Sequence, residues 1–290
     1  MQIIPINQEN LSNSVDVEFS IGNERYEIFF RSISDYPLMG NIESFIASAI
    51  LPSMKKDEDQ LIVDGDVSKK FLENMSTIQD IYNKWDRSLN RVEIIGANSR
   101  PKINSKRKRI GTFFSGGVDS FYTFLKHKEE ITDLIFVHGL DIKLHDKSLR
   151  KEASKKIHEI GSYFGKNIIE IETNIRQLLN PHVPWGLLGH GAALAAIGHL
   201  LTPTFHCIYV PATHTYSELF PWGSHPVLDH YWSSESLEFV HDGCEATRVE
   251  KVSLIADYDI AVKSLRVCWK NPNSSYNCGR CEKCIRTMIN

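Results

Sequence analysis

The chain has 290 residues, of which 42% are hydrophobic and 24% charged, and its formal net charge at pH 7 is −3. At roughly 150 residues per domain, this length predicts about two domains, and the apolar content excludes a mostly disordered chain. A membrane span is excluded because apolar stretches such as residues 192–201 fall short of the roughly 20 residues required. The slightly acidic balance also excludes a protein that binds polyanions by bulk charge.

The N-terminus and the cysteines predict a cytoplasmic protein. The first nine residues contain Asn and Gln where a signal peptide would place an apolar core after basic residues. Because the cytoplasm is reducing, the six cysteines are expected to be thiols or metal ligands rather than disulfides. Four of the six crowd the C-terminus, which indicates a shared role.

Residues 1–105 are predicted to form a small α+β domain. Gly22 and Asn23 separate two runs rich in branched and aromatic residues, which indicates a tight hairpin turn. Pro52 is expected to end the first helix. Because no motif of this region indicates a chemistry, its role is left open between packing and substrate gating. The predicted elements are strands at 16–20 and 25–30, a helix at 41–51, a strand at 60–63, a helix beginning at Ser68 and a strand at 91–95.

The stretch 98–109 predicts a linker between the two halves of the chain. It contains six basic residues and a proline. Its last four residues, 106–109, could contact phosphate groups. A solvated stretch leading into a strand is the simpler interpretation, because no aromatic residues lie between the charges as single-strand binders require.

From residue 110 the sequence alternates between strand and helix patterns. Such alternation predicts an α/β fold with a doubly wound parallel sheet, whose ligands bind at the carboxyl ends of the strands. We assign residues 106–266 to this domain and residues 267–290 to a C-terminal segment. The predicted strands lie at 110–114, 134–137, 168–171, 207–210 and 237–240, and the predicted helices at 121–127, 147–164 and 191–201.

The most specific motif is the stretch 113–120, Phe-Phe-Ser-Gly-Gly-Val-Asp-Ser. A strand leads to Ser115, two glycines permit a tight turn with exposed amides, and a helix begins at about Ser120. Backbone amides and the positive end of a helix bind anions. Asp119 beside a phosphate requires an intervening cation, which predicts Mg²⁺. The GK[ST] ending of the P-loop is missing.

The string 115–120 resembles the PP-loop of the ATP pyrophosphatases, which cleave ATP between the α and β phosphates. The resemblance implies the HUP/PP-loop type of sheet, transfer of AMP to a substrate oxygen, and later attack by a nitrogen or sulfur nucleophile. It also implies which residues hold the pyrophosphate of ATP: Ser115, Gly116, Gly117, Asp119 and Ser120, with Val118 in the same binding loop.

The second specific motif is formed by Cys268, Cys278, Cys281 and Cys284. Four thiolates at these spacings can close a tetrahedral zinc site. Several Lys and Arg residues nearby can offset the formal charge of −2 that zinc with four thiolates carries. Buried free thiols and an iron–sulfur cluster are the alternatives. The motif therefore predicts that residues 267–290 form a zinc-binding segment.

The two other cysteines are expected to differ from each other. Cys207 lies in a predicted strand and is expected to belong to the core. Cys244 follows the carboxyl end of a predicted strand, where it is a candidate reactive thiol. A buried, unreactive thiol is the simpler interpretation for Cys244.

The order of the two motifs resembles 7-cyano-7-deazaguanine synthase and its relatives over roughly residues 108–288. In that family four C-terminal cysteines bind zinc, and the stretch 247–252 resembles the family's Thr-Lys-Ala-Glu-Ile segment, which opens a helix. Residues 1–105 lie outside the resemblance. The stretch 220–223, Phe-Pro-Trp-Gly, stands where the family has Tyr-Pro-Asp-Cys. The resemblance thus implies the fold and the ATP chemistry rather than the deazaguanine substrate.

Three further residues are candidates for the site. His138 ends the second strand of the sheet, a position that commonly lines a nucleotide base. Arg248 and Lys251 lie at the start of a late helix and could reach the α-phosphate or a substrate carboxylate. A solvated helix surface is the alternative for these two.

The loop at residues 211–226 mixes aromatic residues, histidines and a carboxylate without the periodicity of a core element. Such a loop either carries function or packs the two domains together. A second metal site is not expected, because no helical face unites His190, His214 and His225.

Together these patterns predict an ATP pyrophosphatase-type ligase with ATP, Mg²⁺ and Zn²⁺ as cofactors. It would adenylate a carboxylate or carbonyl oxygen of a small molecule or peptide, release pyrophosphate, and let ammonia or an amine displace AMP. No N-terminal cysteine indicates a glutaminase, so the nitrogen is expected to come from ammonia, a partner or the substrate's own amine.

Two alternatives remain open. A tRNA-modifying or thiolating PP-loop enzyme is favoured slightly by the basic stretch at 98–109. A nucleotide-binding regulatory protein without turnover is disfavoured by the intact Asp119. No membrane partner is expected, and a homo-oligomer is compatible with the sequence.

Overall fold

The computed structural model describes residues 1–5, 11–100 and 109–289. Within these ranges the chain forms strands and helices in the following order: β1 Gln2–Pro5, β2 Ser14–Ile21, β3 Glu24–Ser32, α1 Ile42–Lys55, β4 Gln60–Ser68, α2 Lys69–Trp85, β5 Glu93–Arg100, β6 Arg109–Phe113, α3 Val118–Lys126, β7 Asp133–His138, α4 Lys147–Phe164, β8 Asn167–Thr173, α5 Arg176–Leu179, α6 His190–Leu200, β9 Phe205–Pro211, β10 Glu238–Asp242, α7 Arg248–Ala256, α8 Asp259–Ser264 and α9 Glu282–Ile289.

The ten strands of the described ranges belong to one sheet, in the order β10-β9-β6-β7-β8-β3-β2-β1-β4-β5. The five strands from β6 to β10 pair only in parallel with one another. The chain proceeds from β6 through β7 to β8 on one side and from β9 to β10 on the other, so the winding reverses between β6 and β9. The predicted α/β fold with a mostly parallel sheet is thereby confirmed, and this reversal is where such sheets bind ligands.

The N-terminal strands extend the same sheet. β3 pairs antiparallel with β8, with Phe30 opposite Thr173, and helix α1 is tied to α6 by the Asn41 side-chain amide, which donates to the His199 carbonyl at 2.7 Å. One hydrophobic core includes residues from both halves of the chain. The division at residue 105, which lies outside the described residues, stays a prediction.

The strands of the parallel part send alternate side chains to two cores. Ile135 and Val137 of β7 pack with residues of α1, α2 and α6, whereas Leu134 and Phe136 pack with residues of α3, α4, α7 and α8. This alternation follows from the period of two residues in a strand. The sheet is therefore covered by helices on both faces, as a buried parallel sheet requires.

The predicted hairpin is confirmed, since Ile21 of β2 pairs with Glu24 of β3 and Gly22 turns the chain with a φ of +53°. The expected end of the first helix at Pro52 is wrong. Helix α1 continues to Lys55 because Met54 in its last turn is completely buried. Packing of that turn stabilises the helix by more than the loss of the one backbone hydrogen bond that proline cannot donate.

The predicted linker is partly wrong. Residues 98–100 belong to β5 and Arg109 begins β6, while residues 101–108 lie outside the described residues. Of the candidate phosphate-contacting run 106–109, only Arg109 is described. Its Nε donates to the buried Asp133 carboxylate at 3.0 Å, so its charge is engaged within the fold.

The helices of the described residues include no candidate membrane span. None of them combines the length and the apolar character that a membrane-crossing helix needs. This agrees with the composition, whose apolar stretches are short.

Candidate functional site

The loop from Ser115 to the start of α3 follows the carboxyl end of β6, beside the reversal of winding. Gly116 has a φ of +74°, a conformation that favours glycine. Helix α3 begins at Val118, two to three residues earlier than predicted, with Gly117 as its N-cap. No side chain of the described residues caps this helix, so its first amides are available to an external acceptor.

The hydroxyl groups of Ser115 and Ser120 make different hydrogen bonds. Ser120 Oγ donates to the Gly117 carbonyl at 2.9 Å, so its proton holds the loop in shape. Ser115 Oγ accepts from the Gly117 amide at 3.3 Å. The proton of Ser115 is therefore the one that the loop can offer to a phosphate oxygen.

Asp119 lies at the centre of a cluster of charges. Lys251 Nζ is 3.2 Å from one oxygen of the carboxylate, and an Arg248 guanidinium nitrogen is 3.6 Å from the other. Lys251 is buried and also donates to the Ala212 carbonyl just after β9, at 2.7 Å. The structure thus brings together Asp119, Arg248 and Lys251, and a solvated surface position is wrong for Lys251.

The direction of these cations is set by the start of α7. Thr247 Oγ1 accepts from the Glu250 amide and Glu250 accepts from the Thr247 amide, which together form a capping box. Arg248 and Lys251, three residues apart, therefore lie on the same side of the helix. The stretch 247–252 therefore orients both cations through this local geometry.

Arg248 has an unused donor. Its Nε is buried without a hydrogen-bond partner among the described residues, while another of its nitrogens donates to Thr287 at 3.3 Å. Burial lowers the pKa of Arg248, and Asp119 acts in the opposite direction. A buried donor without an acceptor costs about 1–3 kcal/mol, so an anionic oxygen at this point would stabilise the site.

Arg266 holds the loop from the other side and was missed from the sequence. Its amide donates to the Gly116 carbonyl at 2.7 Å, and its Nε donates to the Ser115 carbonyl at 3.2 Å. The same guanidinium faces Asp141 at 3.4 Å. In the sequence, only the position of Arg266 two residues before Cys268 could have indicated that it belongs to the site.

The four C-terminal cysteines converge. The sulfur atoms of Cys268, Cys278, Cys281 and Cys284 all lie within 4.8 Å of one another, with two pairs at 4.0 and 3.9 Å. A tetrahedral site with metal–sulfur bonds of about 2.3 Å needs sulfur atoms about 3.8 Å apart. The cluster fits this requirement and could hold a metal ion such as zinc.

Backbone amides support the thiolate form of Cys278. The Arg280 and Cys281 amides donate to its sulfur at 3.5 and 3.3 Å, and they lower its pKa to about 6. Gly279, with a φ of +66°, makes the turn that aims these amides. Burial instead raises the pKa of Cys284 to about 12, so a metal would have to displace that proton.

The side chain of His138 is held by residues other than the candidate site residues. Its ring is buried, with Nε2 2.6 Å from Glu170 and Nδ1 accepting from Arg150 at 3.1 Å. Burial acts to raise the pKa of Glu170, but hydrogen bonds from His138, Ser154 and His158 lower it to about 2. Both ring nitrogens of His138 thus have hydrogen-bond partners within the fold, and neither is left to bind a nucleotide base.

The loop 211–226 forms a cluster of rings. His214 lies 4.5 Å from Phe220 and 5.4 Å from Trp222, measured between ring centroids. His225 at the end of the loop contacts Trp85 of α2 at 5.3 Å, so this part does pack against the N-terminal half. His190 accepts from the Ser224 amide at 3.1 Å.

Cys207 is buried in β9 as expected, and burial raises its pKa to about 12. Cys244 is buried as well, which agrees with the simpler interpretation of that thiol. The described chain therefore offers two candidate sites, the loop with its cations and the four-cysteine cluster, joined by Arg266. What they bind has to be inferred from these residues themselves. No family model, no curated protein and no solved structure matches this chain.

Proposed function

We propose that residues 115–120 bind the pyrophosphate portion of ATP and that the sheet is of the HUP/PP-loop type. The observation that carries this proposal is the convergence of an uncapped helix start with Lys251 and with the unpaired Nε of Arg248. Two cations and free amides at the carboxyl ends of β6 and β9 form a site for several negative charges.

The proposed reaction is transfer of AMP to a carboxylate or carbonyl oxygen, followed by attack of an amine or ammonia. The loop amides and Ser115 hold the leaving pyrophosphate, while Arg248 and Lys251 stabilise the charge that grows at the α-phosphate. Asp119 pairs with both cations in this structure. Once these cations turn to the phosphates, its carboxylate would be suited to hold Mg²⁺, which would neutralise phosphate charge. Positioning therefore supplies most of the catalysis, and no protein nucleophile is needed for this first step.

Gly117→Val is expected to weaken ATP binding by about tenfold or more, which corresponds to roughly 1.4 kcal/mol or more. A Cβ at this position lies 3.2 Å from Ser115 Oγ, so the branched side chain would crowd the hydroxyl offered to phosphate. The φ of −83° at Gly117 is accessible to valine, so the fold should persist. Titration calorimetry with ATP and Mg²⁺ measures the effect.

Gly165→Asn is the control for that variant. Gly165 ends α4 away from the phosphate loop, has a φ of +64° that Asn tolerates, and no atom lies within 4 Å of the position that a Cβ would take there. ATP affinity should be unchanged in this control. Unchanged affinity in a folded Gly117→Val protein would contradict the phosphate-loop assignment.

The products of turnover should be AMP and pyrophosphate. The wild-type chain would be incubated with ATP, Mg²⁺ and ammonia across a panel of carboxylates, and the nucleotides separated by chromatography. ADP as the main product would overturn the proposal. ATP binding without any turnover would favour a regulatory nucleotide-binding protein, and turnover only with added tRNA would favour a tRNA-modifying enzyme.

A further inference from the structure

A half-buried arginine without a carboxylate partner lies at the same edge of the sheet as the proposed ATP site. Arg176 follows β8, the loop of Ser115 follows β6, and the loop of His214 follows β9. These strands and the intervening β7 pair in parallel, so their carboxyl ends lie at one edge. Arg176 is therefore on the side of the sheet where the proposed substrate has to bind.

Within the described ranges, Arg176 differs from the other arginines that the fold covers. Four of these are buried or half-buried, and each pairs with an Asp or Glu side chain: Arg109, Arg150, Arg248 and Arg266. Arg176 is half-buried and makes no ion pair with any described residue. Burial lowers its pKa, because a charge that is withdrawn from water loses hydration. An anion beside this guanidinium would restore the lost stabilisation.

Neutral groups hold the guanidinium of Arg176 in one orientation. Its Nη1 donates to the Leu140 carbonyl at 2.6 Å, and its Cζ lies 4.4 Å from the centroid of the Trp185 ring. Its Nε donates to Asn180 Oδ1 at 3.4 Å. Its Nη2 has no hydrogen-bond partner within the described ranges. The planar group is thus positioned in advance, with donors left over for a carboxylate.

One side of Arg176 connects directly to the phosphate loop. Leu140, which accepts from Arg176, is followed by Asp141, and the Asp141 carboxylate is 3.4 Å from the guanidinium of Arg266. Arg266 Nε donates in turn to the Ser115 carbonyl at 3.2 Å. The loops after β6, β7 and β8 are therefore joined by short contacts, and Arg176 lies beside the proposed pyrophosphate site.

The other side of Arg176 connects to the cations of the site through aromatic rings. His190 Nδ1 is 3.2 Å from the carbonyl of Trp185, and its ring centroid is 5.5 Å from that of Trp222. The Trp222 ring lies 5.4 Å from the ring of His214. The loop of His214 begins at the carbonyl just after β9 that accepts from Lys251 at 2.7 Å. These contacts lead from Arg176 to the lysine beside Asp119.

The spacing of the strands gives the distance that a substrate would span. Lys251 binds at the end of β9 and Arg176 binds at the end of β7, with β6 between these two strands. Two spacings of about 4.8 Å place these two points roughly 10 Å apart. The aromatic rings along this path suit an apolar chain. A molecule with a carboxylate at each end of such a chain matches both ends of the site.

We propose that Arg176 binds a second carboxylate of the acyl substrate, so that the protein selects dicarboxylic acids. One carboxylate would receive AMP beside Arg248 and Lys251, while the other accepts hydrogen bonds from the open side of the Arg176 guanidinium. A planar fork of donors matches the geometry of a carboxylate. The adenylation of the first carboxylate rests on the proposed function, whereas the binding of the second does not.

The test compares adipate with hexanoate, which has the same carbon chain with one carboxylate fewer. Both acids are titrated into the full-length chain without ATP, and binding is followed by calorimetry. The wild type should bind adipate at least about tenfold more tightly than hexanoate, because the second carboxylate gains charge-assisted hydrogen bonds. Arg176→Gln should remove this preference at unchanged melting temperature. Arg176→Lys should keep part of it, because the charge remains while the fork is lost.

Arg25→Gln is the matched control, because the Arg25 side chain is 76% exposed in the hairpin of β2 and β3. Its preference for adipate should equal that of the wild type. Equal wild-type affinities for the two acids would overturn the proposal. A lower melting temperature with an intact preference in Arg176→Gln would also overturn it, since Arg176 would then only join Leu140 to Trp185. A preference for adipate in a chain that binds no ATP would support the role of Arg176 and overturn only the proposed function.

Discussion

Removing the proposed zinc from the four-cysteine cluster is expected to weaken the proposed ATP binding by about tenfold or more, the equivalent of roughly one or two lost hydrogen bonds. The physical reason is the position of Arg266, which donates to the carbonyls of Ser115 and Gly116. Arg266 stands immediately before the segment that the metal would hold. Without the metal, this second support of the phosphate loop should loosen.

The connection between cluster and loop runs through Asn277. Its side-chain oxygen accepts from the Val267 and Cys268 amides at 2.9 and 3.1 Å, and its amide donates to the Leu265 carbonyl at 2.8 Å. Tyr276 donates to the Ser264 carbonyl at 2.8 Å. Tyr276 and Asn277, which lie between Cys268 and Cys278 in the sequence, therefore hydrogen bond with the backbone both before and after Arg266.

Elemental analysis should find about one zinc per chain and little iron, as expected for four thiolates in a tetrahedral arrangement. Cys281→Ser should lose the metal, lower the melting temperature and reduce ATP affinity together, because metal binding energy is also folding energy. Cys207→Ala, at a cysteine in β9, should keep its metal. Metal-free protein with unchanged melting and ATP affinity would contradict this coupling.

The sequence predicted those features that depend on neighbours along the chain. Gly22 indicated a turn because no other residue takes a positive φ so readily, and the alternation of strand and helix patterns from residue 110 indicated a parallel sheet. The loop 115–120 and the cysteine spacing were likewise local patterns. Their local geometry, a helix start and a sulfur cluster, is present in the structure.

Other features depend on contacts between distant segments, which no local pattern encodes. The pairing of β3 with β8 joins segments that lie far apart in the sequence, and His138 is occupied by Glu170 from the neighbouring strand. The contact of Asp229 with His241 likewise forms only when a turn and a strand meet. Helix α1 passes Pro52 because tertiary packing overrides local preference.

Lys251→Met is expected to lower the turnover of ATP by about 10²–10³, the usual effect of removing one donor that stabilises transition-state charge. Methionine keeps much of the length and apolar stem of lysine, so the substitution removes the charge with little change in volume. Asp119 would then keep Arg248 as its cation. The measurement is the release of pyrophosphate over a range of ATP concentrations, so that turnover and the Michaelis constant are obtained separately.

Lys263→Met is the matched control. Lys263 lies on the neighbouring helix α8, its side chain is 73% exposed, and its partner Asp259 is also exposed, so the same substitution should leave turnover unchanged. Asp119→Asn should also reduce turnover and raise the Mg²⁺ concentration required, because the carboxylate acts through the cation. If Lys251 only supported the fold, Lys251→Met would lower the melting temperature and leave the turnover of the folded fraction intact. A selective loss of turnover at unchanged melting temperature would instead place its ammonium group at the reacting phosphate.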